Sequence, residues 1–108
     1  MNRIHYSPEA QNDLLTIKEY IGVELLNPSA AKNTVAKITK KIRGLKQYPE
    51  MGIPLSSITN IDTNHRFFPC GNYLVFYHVI MKNIYIDRVL YGKRDYITIL
   101  FGDMLTDG

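Results

Sequence analysis

Two neighbouring strands rich in β-branched and aromatic residues occupy the segment from Tyr73 to Tyr96. A short polar turn at Lys82-Asn83 separates them, and the second strand ends in the charged sequence Gly-Lys-Arg-Asp. In the first strand, residues 73–80, both alternating sets of side chains are largely apolar. Because successive side chains of a strand point to opposite faces, both faces of this strand must be covered. The segment therefore predicts a central β-hairpin with a basic tip.

Two amphipathic helices precede this hairpin in the chain. Ser7-Pro8 and Asn27-Pro28 each place a capping residue before a proline, which predicts helix starts at Pro8 and Pro28. Each helix carries one apolar stripe with spacings of three and four, namely Ala10, Leu14, Ile17, Ile21 and Leu25 in the first and Ala31, Val35, Ile38, Ile42 and Leu45 in the second. The short connection around Asn27 predicts an antiparallel helical hairpin.

The remaining segments complete an α+β domain over residues 1–108. Residues 4–6 are expected to form an N-terminal strand that pairs at an edge of the sheet, and residues 65–69 a short strand ended by proline. Between residues 49 and 64 the composition predicts a loop. The expected fold is a helical hairpin packed on one face of a three- to four-stranded antiparallel sheet. The other face should be the working face, because its aromatic side chains would otherwise stand in water.

The composition of the chain limits the classes of function that it can have. A single cysteine, Cys70, and the lack of a secretory leader indicate a reducing compartment, the cytoplasm. The longest apolar run is far shorter than the roughly 20 residues of a membrane-spanning helix, so no membrane role is expected. A net charge of +3 suggests an anionic partner. Six basic residues and no acidic one lie between Ala31 and Gln47, which indicates either a solvated surface or a docking surface for an acidic protein or a phosphate backbone.

Histidine spacing argues against metal chemistry. His5, His65 and His78 share neither the spacing nor the cysteine partners of a metal site, so neither a metal nor a cofactor is expected. His78 lies in an apolar strand, where a hydrogen-bonded sheet residue is the simplest interpretation and a general base the alternative. Arg66 and Arg94 are interpreted either as structural ion-pair partners or as target contacts.

Several segments form an ordered pattern along nearly the whole chain: Ser7-Pro8-Glu9-Ala10, Asp13-Leu14, Tyr20-Ile21, Pro28 with Ala30-Ala31, Leu45 followed by Pro49 and Gly52, Arg66, residues 73–77, and Arg88-Val89-Leu90-Tyr91-Gly92-Lys93-Arg94-Asp95. In this order and spacing they resemble the ParE/RelE superfamily of bacterial type II toxins, and the last segment looks most like the ParE branch. That resemblance implies a plasmid-stabilization type of toxin that inhibits DNA gyrase. It also implies a cognate antitoxin whose C-terminal segment wraps the toxin.

The RelE branch implies a different activity, ribosome-dependent cleavage of messenger RNA by a cluster of basic residues. Arg66 and Arg94 match basic positions of that pattern, whereas Phe68, Leu74 and Leu100 depart from it. An endoribonuclease using Arg66, Arg94 and His78 is therefore the alternative, and a non-toxic module that binds only its partner is a third. The ParE interpretation predicts a protein that binds its target rather than an enzyme.

The resemblance and the charge pattern together nominate residues for contact with the target or the antitoxin. These candidates are Lys37, Lys40, Lys41, Arg66, Arg88, Lys93, Arg94, Asp95 and Tyr96.

Overall fold

The computed structural model describes the backbone of residues 2–105 and the side chains of residues 2–102. The elements are β1 (Arg3–Tyr6), α1 (Pro8–Glu19), α2 (Pro28–Arg43), β2 (Ile53–Pro54), β3 (Arg66–Cys70), β4 (Tyr73–Ile80), β5 (Asn83–Tyr91) and α3 (Tyr96–Leu105). A π-helical turn, Tyr20–Glu24, extends α1, and a 3-10 turn, Gly44–Lys46, extends α2. None of the helices in the described part of the chain has the length and apolar character needed to span a bilayer.

Both predicted helix starts are confirmed by their caps. The Ser7 hydroxyl accepts a hydrogen bond from the Ala10 amide at 2.9 Å, and the Asn27 side chain accepts one from the Ala30 amide at 3.1 Å. The predicted stripe of the first helix is wrong at its last position, because Leu25 is 55% exposed. The π-helical turn ends before Leu25, and Leu26 then adopts a positive φ of 53°, which turns the chain toward α2.

The sheet has five strands in the order β1-β5-β4-β3-β2. The predicted α+β class is confirmed, but the sheet has five strands rather than three or four, and two further details differ. The edge strand β1 pairs with β5 in parallel, because the crossover through both helices returns the chain in the same direction. The turn of the central hairpin lies at Met81-Lys82 rather than Lys82-Asn83, since Asn83 already pairs with Ile80.

The main core lies between the helical hairpin and the sheet. It contains Ala10, Ile17, Ile21, Ala31, Ile38, Ile42 and Leu45 from the helical side and Phe68, Val75, Tyr77, Ile84, Ile86 and Val89 from the strands. The stripes of the two helices thus meet one face of the central strands, as the spacing predicts.

The opposite face of the sheet is also covered over part of its area, which corrects the expectation of an open working face. Phe76 and Leu90 are buried there against Leu55 from the long loop and Phe101 from α3. The sequence analysis did not predict α3. Burying these apolar side chains removes them from water, and each contributes roughly 1.5–3 kcal/mol of transfer free energy.

A partly buried ion pair connects α1 to β5. The Asp13 carboxylate accepts hydrogen bonds from Arg88 Nε at 2.8 Å, Arg88 Nη2 at 2.9 Å and the Val89 amide at 2.9 Å. A register shift interrupts the β4–β5 pairing beside this contact, because Phe76 pairs with Arg88 whereas Tyr77 pairs with Ile86. The contact with Asp13 is the first cause that raises the pKa of Arg88 above its ordinary value.

Tyr77 anchors the loop that follows α2. Its ring is fully buried, and its hydroxyl donates to the Pro49 carbonyl at 2.8 Å and accepts from the Gly52 amide at 2.9 Å. A Cβ on Gly52 would lie 2.6 Å from that hydroxyl, so glycine is required by the close approach. Arg66 Nη1 strengthens the same anchor by donating to the Gly52 carbonyl at 2.9 Å.

Asp13→Ala should lower the free energy of unfolding by about 3 kcal/mol, because it leaves the half-buried Arg88 guanidinium and the Val89 amide without their acceptor. Chemical denaturation measures this loss. Asn12→Ala is the matched control, since Asn12 is the exposed neighbour on the same helix, and it should change stability by less than about 0.5 kcal/mol. Equal effects of the two substitutions would show that the ion pair has no special role.

Tyr77→Phe should cost roughly 1–3 kcal/mol, because the buried Gly52 amide loses its acceptor. The substitution should also change how the free energy of unfolding depends on pH in the alkaline range. Burial raises the pKa of Tyr77 above its ordinary value of 10.0, so the stabilisation is present below pH 10.0 and is lost as pH rises through the raised pKa. Denaturation curves collected above and below pH 10.0 should therefore show a smaller alkaline loss in Tyr77→Phe. The half-exposed Tyr91→Phe should behave like the unmodified chain.

Candidate partner-binding groove

A groove of about 760 Å³ opens between the helical hairpin and the adjacent end of the sheet. We call it the hairpin groove, and it is lined by Asp13, Thr16, Ile17, Tyr20, Ile21, Leu25, Ala30, Thr34, Lys37, Ile38, Cys70, Gly71, Asn72, Tyr73, Val89, Leu90, Tyr91 and Arg94. The helices supply its walls, and the β3–β4 turn and the end of β5 supply the rest. That turn contains Gly71 at φ 61°, a conformation that glycine adopts without strain.

Three tyrosines are grouped in the hairpin groove. The rings of Tyr73 and Tyr91 meet edge to face with centroids 6.0 Å apart, and Tyr20 lines the groove beside them. The pKa of Tyr73 is raised, first by burial and then by its neighbours Tyr20 and Tyr91. The Tyr73 hydroxyl is therefore neutral at physiological pH. The three tyrosines offer apolar area with hydrogen-bonding ends, a combination enriched at protein interfaces.

Basic side chains outnumber acidic ones among the described residues that line the hairpin groove. Among the described residues that line it, the one acidic group is Asp13, which is already paired with Arg88. Lys37 on α2 and Arg94 after β5 also line the groove, and within residues 2–102 neither of them makes an ion pair. The groove is thus apolar and aromatic inside with two basic side chains at its border.

An apolar patch adjoins the groove at the tip of the helical hairpin. Tyr20, Val23, Leu25 and Leu26 are all exposed there, and Leu26 reaches 84%. We call these four residues the tip patch. Exposed apolar side chains that cluster in this way are typical of protein-binding surfaces.

Five of the nine contact candidates have structural roles. Lys41 Nζ donates to the Pro69 carbonyl at 2.6 Å and lies 5.4 Å from the centre of the Phe68 ring. Arg66 holds the loop through backbone carbonyls, and within residues 2–102 it has no aspartate partner. Arg88 pairs with Asp13.

The other two structural candidates lie at the start of α3. The Asp95 carboxylate accepts from the Thr98 amide and hydroxyl at 3.3 and 2.8 Å, so it caps the helix. The Tyr96 ring packs on Phe76 with centroids 5.3 Å apart. Of the remaining candidates, Lys37 and Arg94 line the hairpin groove, while Lys40 and Lys93 are exposed outside it.

The three residues of the nuclease alternative do not converge. Arg66 pairs with Tyr77, whose ring lies in the main core, so Arg66 belongs to the helix-covered face. His78 follows Tyr77 in β4 and therefore points to the opposite face. Arg94 lines the hairpin groove on the helix side.

His78 instead meets His65 and Asp87. Its Nδ1 lies 2.8 Å from Asp87 Oδ2, and His65 Nε2 lies 3.3 Å from the same oxygen. This grouping is one that could hold a metal ion, and histidine spacing in the sequence did not reveal it. The sequence analysis also missed the groove tyrosines as a group. Tyr20, Tyr73 and Tyr91 all stand in the family-like segments, so the resemblance was a signal that could have found them.

The family model that describes the ParE toxin of the type II toxin-antitoxin system parDE matches residues 4–96. Among solved structures, a chain of the chromosomal ParDE system from P. aeruginosa matches with a TM-score of 0.71 and 22% identity, covering 84% of this chain and 96% of that one. No curated protein sequence matches significantly. The structural likeness shows a shared fold, and the family model spans most of the chain. This chain belongs to the ParE toxin family of type II toxin-antitoxin systems.

Proposed function

We propose that this ParE-family chain is a bacterial cytoplasmic toxin that inhibits DNA gyrase and is neutralised by an antitoxin bound in the hairpin groove. The observation that carries the proposal is the groove itself, with apolar and aromatic walls and two basic side chains at its border. Family membership supports the toxin role, and the groove supports the means of neutralisation.

The groove fits an amphipathic acidic segment of the antitoxin. A helix or extended peptide binds such a groove by burying its apolar side chains, here against Tyr20, Tyr73 and Tyr91. Acidic side chains on the same segment would reach Lys37 and Arg94. Charge pairs of this kind favour correct orientation and a fast encounter. The excess of basic residues on α2 adds to the attraction, because Lys32, Lys40 and Lys46 are also exposed.

The tip patch supports a protein partner at this end of the molecule. Leu26 has a φ of 53°, in the left-handed region that favours glycine, and its side chain is almost fully exposed. The side chain therefore contributes little to the fold of the isolated chain, while leucine at this φ costs backbone energy. A partner that covers Leu26 would bury its apolar area, which is worth about 25 cal/mol per Å².

Gyrase inhibition is the target assignment that the site chemistry favours over messenger RNA cleavage. A ribonuclease would bring basic groups and a base together around one phosphate. Arg66 is committed to loop carbonyls here, and Arg66 and His78 lie on opposite faces of the sheet. Inhibition of an enzyme by surface contact has no such requirement, and the exposed Lys40 and Lys93 remain candidates for the contact with gyrase.

Lys37→Glu combined with Arg94→Glu should weaken binding of the antitoxin, the protein encoded by the adjacent reading frame. We expect a loss of at least about tenfold in affinity, or about 1.4 kcal/mol, because both border charges change sign. Isothermal titration with the purified antitoxin measures this. The control, Lys40→Glu with Lys93→Glu, makes the same charge change outside the groove and should cost clearly less. An equal loss in both double variants would indicate general attraction and would contradict binding in the groove.

The purified toxin should inhibit supercoiling by DNA gyrase, and an equimolar amount of antitoxin should restore it. The measurement is a plasmid supercoiling assay, run beside a ribosome-programmed messenger RNA cleavage assay. Normal supercoiling together with transcript cleavage would assign the endoribonuclease activity instead. If neither assay responds and expression in bacteria is harmless, the chain is a partner-binding module without toxicity.

A further inference from the structure

We propose that His65, His78 and Asp87 form a binding site for a divalent transition metal ion of the zinc type. The site lies on the sheet face opposite the hairpin groove, so it is separate from the proposed antitoxin and gyrase functions. Its three donors come from three segments of the chain: His65 directly precedes β3, His78 lies in β4, and Asp87 lies in β5.

The donor atoms are arranged as a metal ion requires. Two ligand atoms on one tetrahedral zinc lie roughly 3.3 Å apart, because each bond is about 2.0–2.1 Å long. Asp87 Oδ2 lies 2.8 Å from His78 Nδ1 and 3.3 Å from His65 Nε2, and all three ligand atoms fall within 4.8 Å of one another. Small side-chain rotations would therefore place an ion between them. Two imidazoles and one carboxylate form a donor set suited to zinc.

Thr63 supplies the outer contact that a zinc-binding histidine needs. Its hydroxyl lies 2.6 Å from His65 Nδ1, the ring nitrogen that faces away from Asp87. A hydroxyl can either donate to that nitrogen or accept from it. With a metal on Nε2, Nδ1 carries the proton and donates to Thr63, which sets the ring orientation. Thr63 thus serves as a positioning residue.

Aromatic neighbours hold the two imidazoles in place. The Tyr85 ring stacks on His78 with centroids 5.1 Å apart, and the Phe101 ring meets His65 edge to face at 5.6 Å. The two histidine side chains and Asp87 keep 20–24% of their surface exposed, so an ion can enter from solvent. Strand pairing provides the third ligand, because His78 pairs with Tyr85, and Asp87, two residues further along β5, lies on the same face beside it.

Metal binding would join the loop before β3 to the central hairpin. That loop and α3 cover the second core, and Phe101 of that core contacts His65. An occupied site should therefore stabilise the fold, since a ligand that binds only the folded state shifts the unfolding equilibrium.

The test is titration of the untagged full-length chain with zinc chloride by calorimetry. Cobalt chloride serves as a spectroscopic probe of tetrahedral coordination. We expect one ion per chain, a higher melting temperature with zinc and an intense cobalt absorption. His65→Gln, His78→Gln and Asp87→Asn should each weaken zinc binding at least about tenfold. Thr63→Ala keeps all three ligands and should weaken it roughly tenfold through loss of the outer contact.

The matched control is His5→Gln. His5 lies on the same sheet face and stacks on Tyr85, but it is not one of the three donors, so this variant should bind zinc as the unmodified chain does. Far-ultraviolet circular dichroism verifies that each variant is folded. The proposal is overturned if no saturable one-to-one binding occurs, or if His5→Gln loses as much affinity as His78→Gln. Either result would leave one imidazole hydrogen-bonded to Asp87, a second imidazole beside them, and no metal site.

Discussion

Burial of β4 on both of its faces is the constraint on which the rest of this structure depends. Val75 and Tyr77 point into the main core, Phe76 points into the second, and all three are fully buried. One cover cannot shield both faces, so the chain supplies two. The helical hairpin packs on one side. On the other side, α3 packs together with the long loop that precedes β3. Neither cover extends over the full area of the sheet. The hairpin groove lies in the uncovered part on the helix side, and His65, His78 and Asp87 lie in the uncovered part on the other side.

Basic residues in this protein have different roles because of their neighbours, not because of their type. Arg88 reaches a buried carboxylate and secures α1 to β5, while Arg66 secures a loop through backbone carbonyls. Lys37 and Arg94 meet no acidic partner within residues 2–102, and they border an apolar groove. A partner protein can offer the missing acidic groups. The fold therefore uses part of its positive charge for its own stability and presents the rest to another molecule.

Features that depend on neighbouring residues in the chain could be predicted from sequence. Ser7 and Asn27 cap their helices within three residues, and the two-sided apolar pattern of β4 identifies a central strand. Features that depend on distant packing could not. Leu25 fits the helical stripe, yet the π-helical turn exposes it. The parallel pairing of β1 and the cover formed by α3 were likewise missed, because no local pattern states which distant strand or face a segment will meet.

The sequence by itself determined the two capped helices, the central hairpin, the α+β class and the ParE family likeness. Each of these depends on residue type and on spacing along the chain, because interactions between residues that are close in sequence determine it. Only the tertiary structure decided which charges are neutralised, where the groove opens and which histidines meet. His65, His78 and Asp87 come from three separate segments, and strand pairing brings them together on one face of the sheet. Such sites depend on positions in space that strand pairing and packing set, so residue spacing alone does not reveal them.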